Sequence, residues 1–235
     1  MSVFVLIHGA WGGGWQWRGV ANGLRASGHE VYAPTLTGLG DRSHLGTAST
    51  GLTTHIDDVA SLIWFEDLRD VVLVGWSYGA AIAEGVADVM PDRLRMVVNL
   101  DGDLSVEGRA KAESWDADDP DWPKVQQGIP VSPPTADEMA DNLDDAELRH
   151  WVAERLRPHP GRAWIEPFPS RGGRRASVPH VLVECSLRQD DKFKAKHEQL
   201  VSDPTWVVRE VPLNHLGLLY DPVTIATALD DVARD

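Results

Sequence analysis

Ser77 is flanked by glycines two residues away on each side, in Gly75-Trp76-Ser77-Tyr78-Gly79, directly after the apolar run Val71 to Val74 and before the small-residue stretch Tyr78 to Val89. The pattern reads as a buried strand, a sharp turn and a helix. Such a turn lifts a hydroxyl above a sheet edge, and the two glycines let neighbouring backbone pass close to it. A base must then take the hydroxyl proton. Of the nine histidines, His215 fits best: it lies just after the strand-like run Trp206 to Val211, before a helix opened by Asp221-Pro222, and after the serine in chain order. His29, His44 and His55 fall in helix or loop contexts, and His150, His159, His180 and His197 lack the strand-end setting. Solvated or capping roles are expected of them.

Attack on a carbonyl also needs donors for the oxygen that becomes negative. The run Val3 to Ile7 opens into His8-Gly9-Ala10-Trp11-Gly12-Gly13-Gly14-Trp15, a loop whose amides are not masked by side chains. The expected donors are the amides of Ala10 and of Tyr78, the residue after the candidate nucleophile. Trp11 and Trp76 flank this region and are the candidate substrate contacts. His8, where the strand ends, is expected to shape the loop by hydrogen bonding rather than act as a base.

Five segments in order, FVLIHGAW, GHEVYAPTLTGLGDRSH, HIDDV, VVLVGWSYG and NHLGLLYDP, resemble the α/β-hydrolase superfamily, and within it the small esterases related to plant methylesterases and hydroxynitrile lyases. The resemblance covers residues 1 to 102 and 178 to 235 and is weak between them. It implies an α/β fold with a mostly parallel sheet flanked by helices, an acyl-enzyme mechanism on a serine, a catalytic triad and no cofactor. The opening hairpin of larger relatives is not expected. In most relatives the triad acid lies a few residues after the strand that here reads His180 to Cys185, yet Arg188 falls at that position. Asp190 and Asp191 are near, at the expense of a longer loop. The superfamily's second location, the end of the strand after the elbow helix, holds Asp101 after Met96 to Leu100. Asp101 and the Asp190/Asp191 pair therefore stand as alternatives for one acid, with Asp103 a lesser neighbour.

Departures narrow the chemistry. The threonine and lysine of similar hydroxynitrile lyases correspond to Gly9 and Leu216, so a cation for the leaving cyanide is missing. Epoxide hydrolases and dehalogenases of this fold need an aspartate where this chain has Ser77. The expectation is hydrolysis of a small hydrophobic or aromatic carboxylic ester, lactone or thioester. Rival readings are triad-based acid/base chemistry on a polyketide-like or diketone substrate and, further off, a ligand receptor without turnover.

Residues 103 to 177 differ in character, with Trp115, Trp122, Trp151 and Trp164 among many prolines and charges. They are expected to form an inserted lid whose tryptophans mainly anchor it. The acidic stretch from 137 onward has Met139, Leu143, Leu148 and Trp151 at near-helical spacing and reads as a solvated helix face. DADDPD at 116 to 121 lacks the glycine and glutamate of a calcium loop, and no metal is expected. Arg171, Arg174 and Arg175 are expected to pair with neighbouring acids. The 235 residues, 43% hydrophobic, suffice for one core. A net charge of −14 argues against nucleic acid and anionic membranes as partners, leaving a small-molecule substrate. With neither a signal-peptide pattern nor a long apolar run, a cytoplasmic location is expected. Cys185, the single cysteine, reads as a small buried hydrophobe.

Overall fold

The computed structural model describes residues 1–102, 105, 107–114, 122–169, 173–188 and 205–234. Six strands form one sheet: β1 (Val3–Ile7), β2 (Glu30–Tyr32), β3 (Val71–Trp76), β4 (Leu94–Leu100), β5 (His180–Cys185) and β6 (Trp206–Val211). Their order is β2-β1-β3-β4-β5-β6 and every pairing is parallel. Parallel neighbours require crossovers, which place helices on both faces. The continuous apolar runs follow from this, because a strand covered on both sides has no polar face. Phe4, Leu6, Val72 and Val74 point to one side, under α1 (Arg18–Ala26) and the last helix (Pro222–Arg234). Val5, Ile7, Val71 and Leu73 point to the other, under α2 (Leu52–Phe65) and α3 (Tyr78–Val89).

The strand order reverses between β1 and β3, so the loops leaving their carboxyl ends diverge and open a crevice. Ligands of open α/β sheets bind there.

Between β4 and β5 the described chain forms short pieces: α4 (Trp122–Gln126), α5 (Ala146–Ala153) and α6 (Arg162–Ile165), with isolated bridges Ala110–Pro167 and Val131–His159. The acidic stretch from 137 onward departs from the expected helix face, being helical only from Ala146. Asp145 starts that helix by accepting the amides of Glu147 and Leu148, while Glu138 turns back to accept the Thr135 amide and hydroxyl. Met139, Leu143, Val152 and Leu156 still share one apolar cluster. After β6 come α7 (Gly217–Tyr220) and α8 (Pro222–Arg234), the latter opened by Asp221, which accepts the Thr224 amide and hydroxyl. Among the described residues no helix is long and apolar enough to cross a membrane.

Candidate active site

Ser77 joins β3 to α3 with φ 55° and ψ −118°, a conformation that side-chain-bearing residues seldom adopt. Its amide donates to Leu100 O at 3.1 Å, tying the turn to β4. The glycines are explained by contact. A Cβ on Gly75 would stand 2.3 Å from Gly79 O, and one on Gly79 would stand 2.5 Å from Ile7 O. The helix therefore starts almost in contact with β1 and its own strand, and the serine is pushed outward.

His215, in the loop between β6 and α7, faces it. Nε2 lies 3.1 Å from Ser77 Oγ, and Nδ1 lies 2.5 Å from Asp101 Oδ2. A carboxylate can only accept, so Nδ1 carries the proton and Nε2 is left to accept the serine hydroxyl. The Trp76 indole N–H donates to His215 O at 3.1 Å and its ring lies 5.3 Å from the imidazole, fixing the loop from below. Asp101, fully buried at the end of β4, also accepts the Cys185 amide on Oδ1 at 3.1 Å. Of the sequence-predicted acids, the structure brings Asp101 to the histidine. Asp190, Asp191 and Asp103 lie outside the described residues. Arg188, unassigned from sequence, donates through Nη1 to Asp101 O and Oδ2 at 3.0 and 3.1 Å. Its only sequence signal was its place where relatives carry the acid.

A cavity of about 230 Å³ opens over Ser77 and His215, lined by Ala10, Trp11 and Trp76 among others. The inserted segment supplies Pro134, Glu138, Met139, Asn142, Val152 and Leu156. Tyr78 begins α3, where the first amides have no partner within the helix. Its hydroxyl points away and donates to His55 Nδ1. Gln16, which sequence reasoning missed, lines the cavity and is buried, with no partner on Oε1 among the described residues. Glu138 is the one acidic side chain among the described lining residues, and no lysine or arginine joins it. Trp122, Trp151 and Trp164 do not line the cavity: Trp164 packs 5.9 Å from Trp11, and Trp151 meets Trp15 edge-on. Arg174 and Arg175 pair with Asp92 and Glu84 as expected; Arg171 lies outside the described residues.

Three histidines correct the expectation of solvated or capping roles. His29 is buried against Asp230, and His55 and His159 are fully buried. His55 and His159 have no exposed surface and serve as core, while His29 keeps a narrow exposed edge and ties Ser2 N to Asp230. His8 shapes its loop as expected, donating from Nδ1 to Gly9 O and accepting the Leu36 amide on Nε2. Burial lowers its pKa to about 4 and also depresses His55 and His159.

The model of the alpha/beta hydrolase family matches residues 4–228. The chain belongs to that family. Within it, the chain is 32% identical over 240 residues to a carbendazim hydrolyzing esterase of Nocardioides sp. (strain SG-4G), covering 97% of this chain and 98% of that one. It is 33% identical over 96 residues to methylesterase 8 of Arabidopsis thaliana, covering 40% and 35% of the two chains. Among solved structures, an extracellular alpha/beta-hydrolase from a Paenibacillus species, described as sharing structural and functional homology with tobacco salicylic acid binding protein 2, superposes with a TM-score of 0.86. That match spans 100% of both chains at 20% identity.

Proposed function

We propose that the chain is a serine esterase that cleaves small, uncharged, predominantly apolar esters through an acyl-enzyme. The observation that carries the reading is the continuous line from Ser77 Oγ through His215 to Asp101 at the floor of a cavity. In this mechanism Ser77 attacks the ester carbonyl while His215 Nε2 takes its proton, and Asp101 holds the imidazole in the required tautomer and offsets the charge it gains. The amides of Ala10 and Tyr78 receive the oxyanion; removing one such donor typically costs roughly 10²- to 10³-fold in rate. His215 then protonates the departing alcohol, and water repeats the sequence on the acyl-enzyme. No step draws on a cofactor.

Cavity chemistry supports the substrate class. About 230 Å³ falls below the roughly 300–1,000 Å³ typical of sites for drug-sized ligands, which favours a small ester. Trp11, Trp76, Leu216 and Leu219 favour an apolar or aromatic group, while Glu138 disfavours a carboxylate on the substrate. Leu216, directly after His215, lines the cavity where a lyase would need a cation. We assign the segment from 103 to 177 as the lid, since it supplies one wall.

The test is covalent labelling by a fluorophosphonate, with intact mass and peptide mapping. Wild type is expected to take one label on Ser77 and Ser77→Ala none; a folded wild type that stays unlabelled refutes the proposal. A panel of short-chain and aromatic methyl esters, lactones and carbendazim, the compound named for the relative, then defines the substrate.

A further inference from the structure

Resting on the esterase reading, we propose that Arg188 is a positioning residue that holds the Asp101 carboxylate against His215. Asp101 poses two physical problems. It is a wholly buried carboxylate, and its φ of 50° lies where aspartate is tolerated rather than favoured. Arg188 answers both with a single nitrogen. Nη1 donates to the backbone O, which pins the strained peptide, and to Oδ2, the oxygen that also receives the imidazole N–H. Nη1 also lies 3.3 Å from His215 Nδ1; since both nitrogens carry protons, this is a contact imposed by the shared oxygen, not a hydrogen bond.

Arg188 is itself placed by backbone. Its amide donates to Cys185 O at 3.0 Å, closing a turn at the end of β5, and the preceding Leu187 amide donates to Leu213 O at 3.0 Å in the loop that carries His215. Cys185, in that turn, gives its amide to Asp101 Oδ1. The turn after β5 thus grips the carboxylate through both oxygens and reaches the histidine loop at the same time. A side chain at the end of β5, where the resemblance implied an acid, here secures a carboxylate at the end of the neighbouring strand β4.

The role predicts a kinetic signature. In Arg188→Met the carboxylate loses its second donor on Oδ2, and kcat on p-nitrophenyl acetate is expected to fall roughly 10- to 100-fold through misorientation. KM should stay within about twofold, because Arg188 does not line the cavity. The contacts to Asp101 both come from one nitrogen, Nη1, which a lysine ammonium can replace. Arg188→Lys should recover kcat to within about fivefold of wild type. The far-downfield Nδ1–H proton resonance of His215 is expected in wild type and Arg188→Lys, and shifted or broadened in Arg188→Met. Wild-type kcat in Arg188→Met, a loss confined to KM, or no recovery with lysine in a folded variant would each overturn the assignment. If wild type does not label with fluorophosphonate, the esterase reading fails by itself. The resonance then still reports whether Arg188 holds the pair, and an unchanged signal in Arg188→Met overturns this inference separately.

Discussion

Ser77 and Asp101 share a backbone habit, with φ of 55° and 50° at the ends of neighbouring strands, and Trp11 joins them at 60°. Left-handed backbone at a non-glycine residue costs on the order of 1–3 kcal/mol and persists where surroundings over-determine it. Here the surroundings are hydrogen bonds: the Ser77 amide on Leu100 O, and the Asp101 amide on Val183 O at 2.9 Å. The Asp101 carboxylate is thus fixed by the same ladder that fixes the Ser77 hydroxyl. Replacing Asp101 by Asn keeps the size but removes the charge that selects the tautomer, and kcat should fall by about 10⁴-fold with little change in KM. The paired change Asp190→Asn/Asp191→Asn should leave kcat close to wild type. Steady-state kinetics on one ester separates the two, and the reverse pattern would move the acid to the other location.

At the scale of elements, the apolar runs of β1, β3 and β5 and the boundaries of α3 were legible, because a strand buried on both faces leaves a pattern that no surface segment imitates. That Ser77, His215 and the loop after β1 stand at the ends of strands was legible for a related reason: each sits where a strand-like run stops. Choosing among the acids was not possible from sequence, since the role depends on which carboxylate reaches Nδ1, and two strand ends lie within reach. The acidic stretch misled because Met139, Leu143, Leu148 and Trp151 keep helical spacing while Asp145 begins the helix only at Ala146. The elbow makes a sharp prediction of its own. Gly79→Ala drives a methyl towards Ile7 O and should cost about 1–3 kcal/mol. That corresponds to roughly 2–4 °C of melting temperature per kcal/mol for a chain of this size. Fluorophosphonate labelling should fall more steeply than stability, because β1 and α3 separate where the serine and its donors meet. A melt and a labelling rate on the same variant measure both.

For the whole molecule, the consequential group is the buried cluster of His8, His55 and His159, with His159 4.5 Å from the Tyr78 ring and 5.0 Å from Trp164. Each has its pKa depressed by burial, so the folded protein keeps them neutral where the unfolded chain would protonate them. Stability from this source is complete above the ordinary value of 6.5 and is lost as pH falls. With the His8 pKa lowered to about 4, that residue alone accounts for about 3 kcal/mol between neutrality and pH 4, at ~1.4 kcal/mol per pH unit. Acid unfolding followed by tryptophan fluorescence is therefore expected to begin below pH 6.5. His159→Phe, which keeps a ring among aromatic neighbours and removes the titrating group, should shift the midpoint to lower pH. An unshifted midpoint would assign acid sensitivity to other groups.

Arg188 beside Asp101 also limits which substitutions the pair can accept. A chain that placed its acid after β5 instead would have to pass through one of two intermediates. Losing Asp101 first leaves a guanidinium 3.3 Å from an imidazole that the proposed mechanism makes cationic during turnover. Losing Arg188 first leaves a buried carboxylate with less to hold it. Neither single change is expected to be neutral, so Arg188 and Asp101 behave as one unit of substitution: an acid placed after β5 requires both positions to change together.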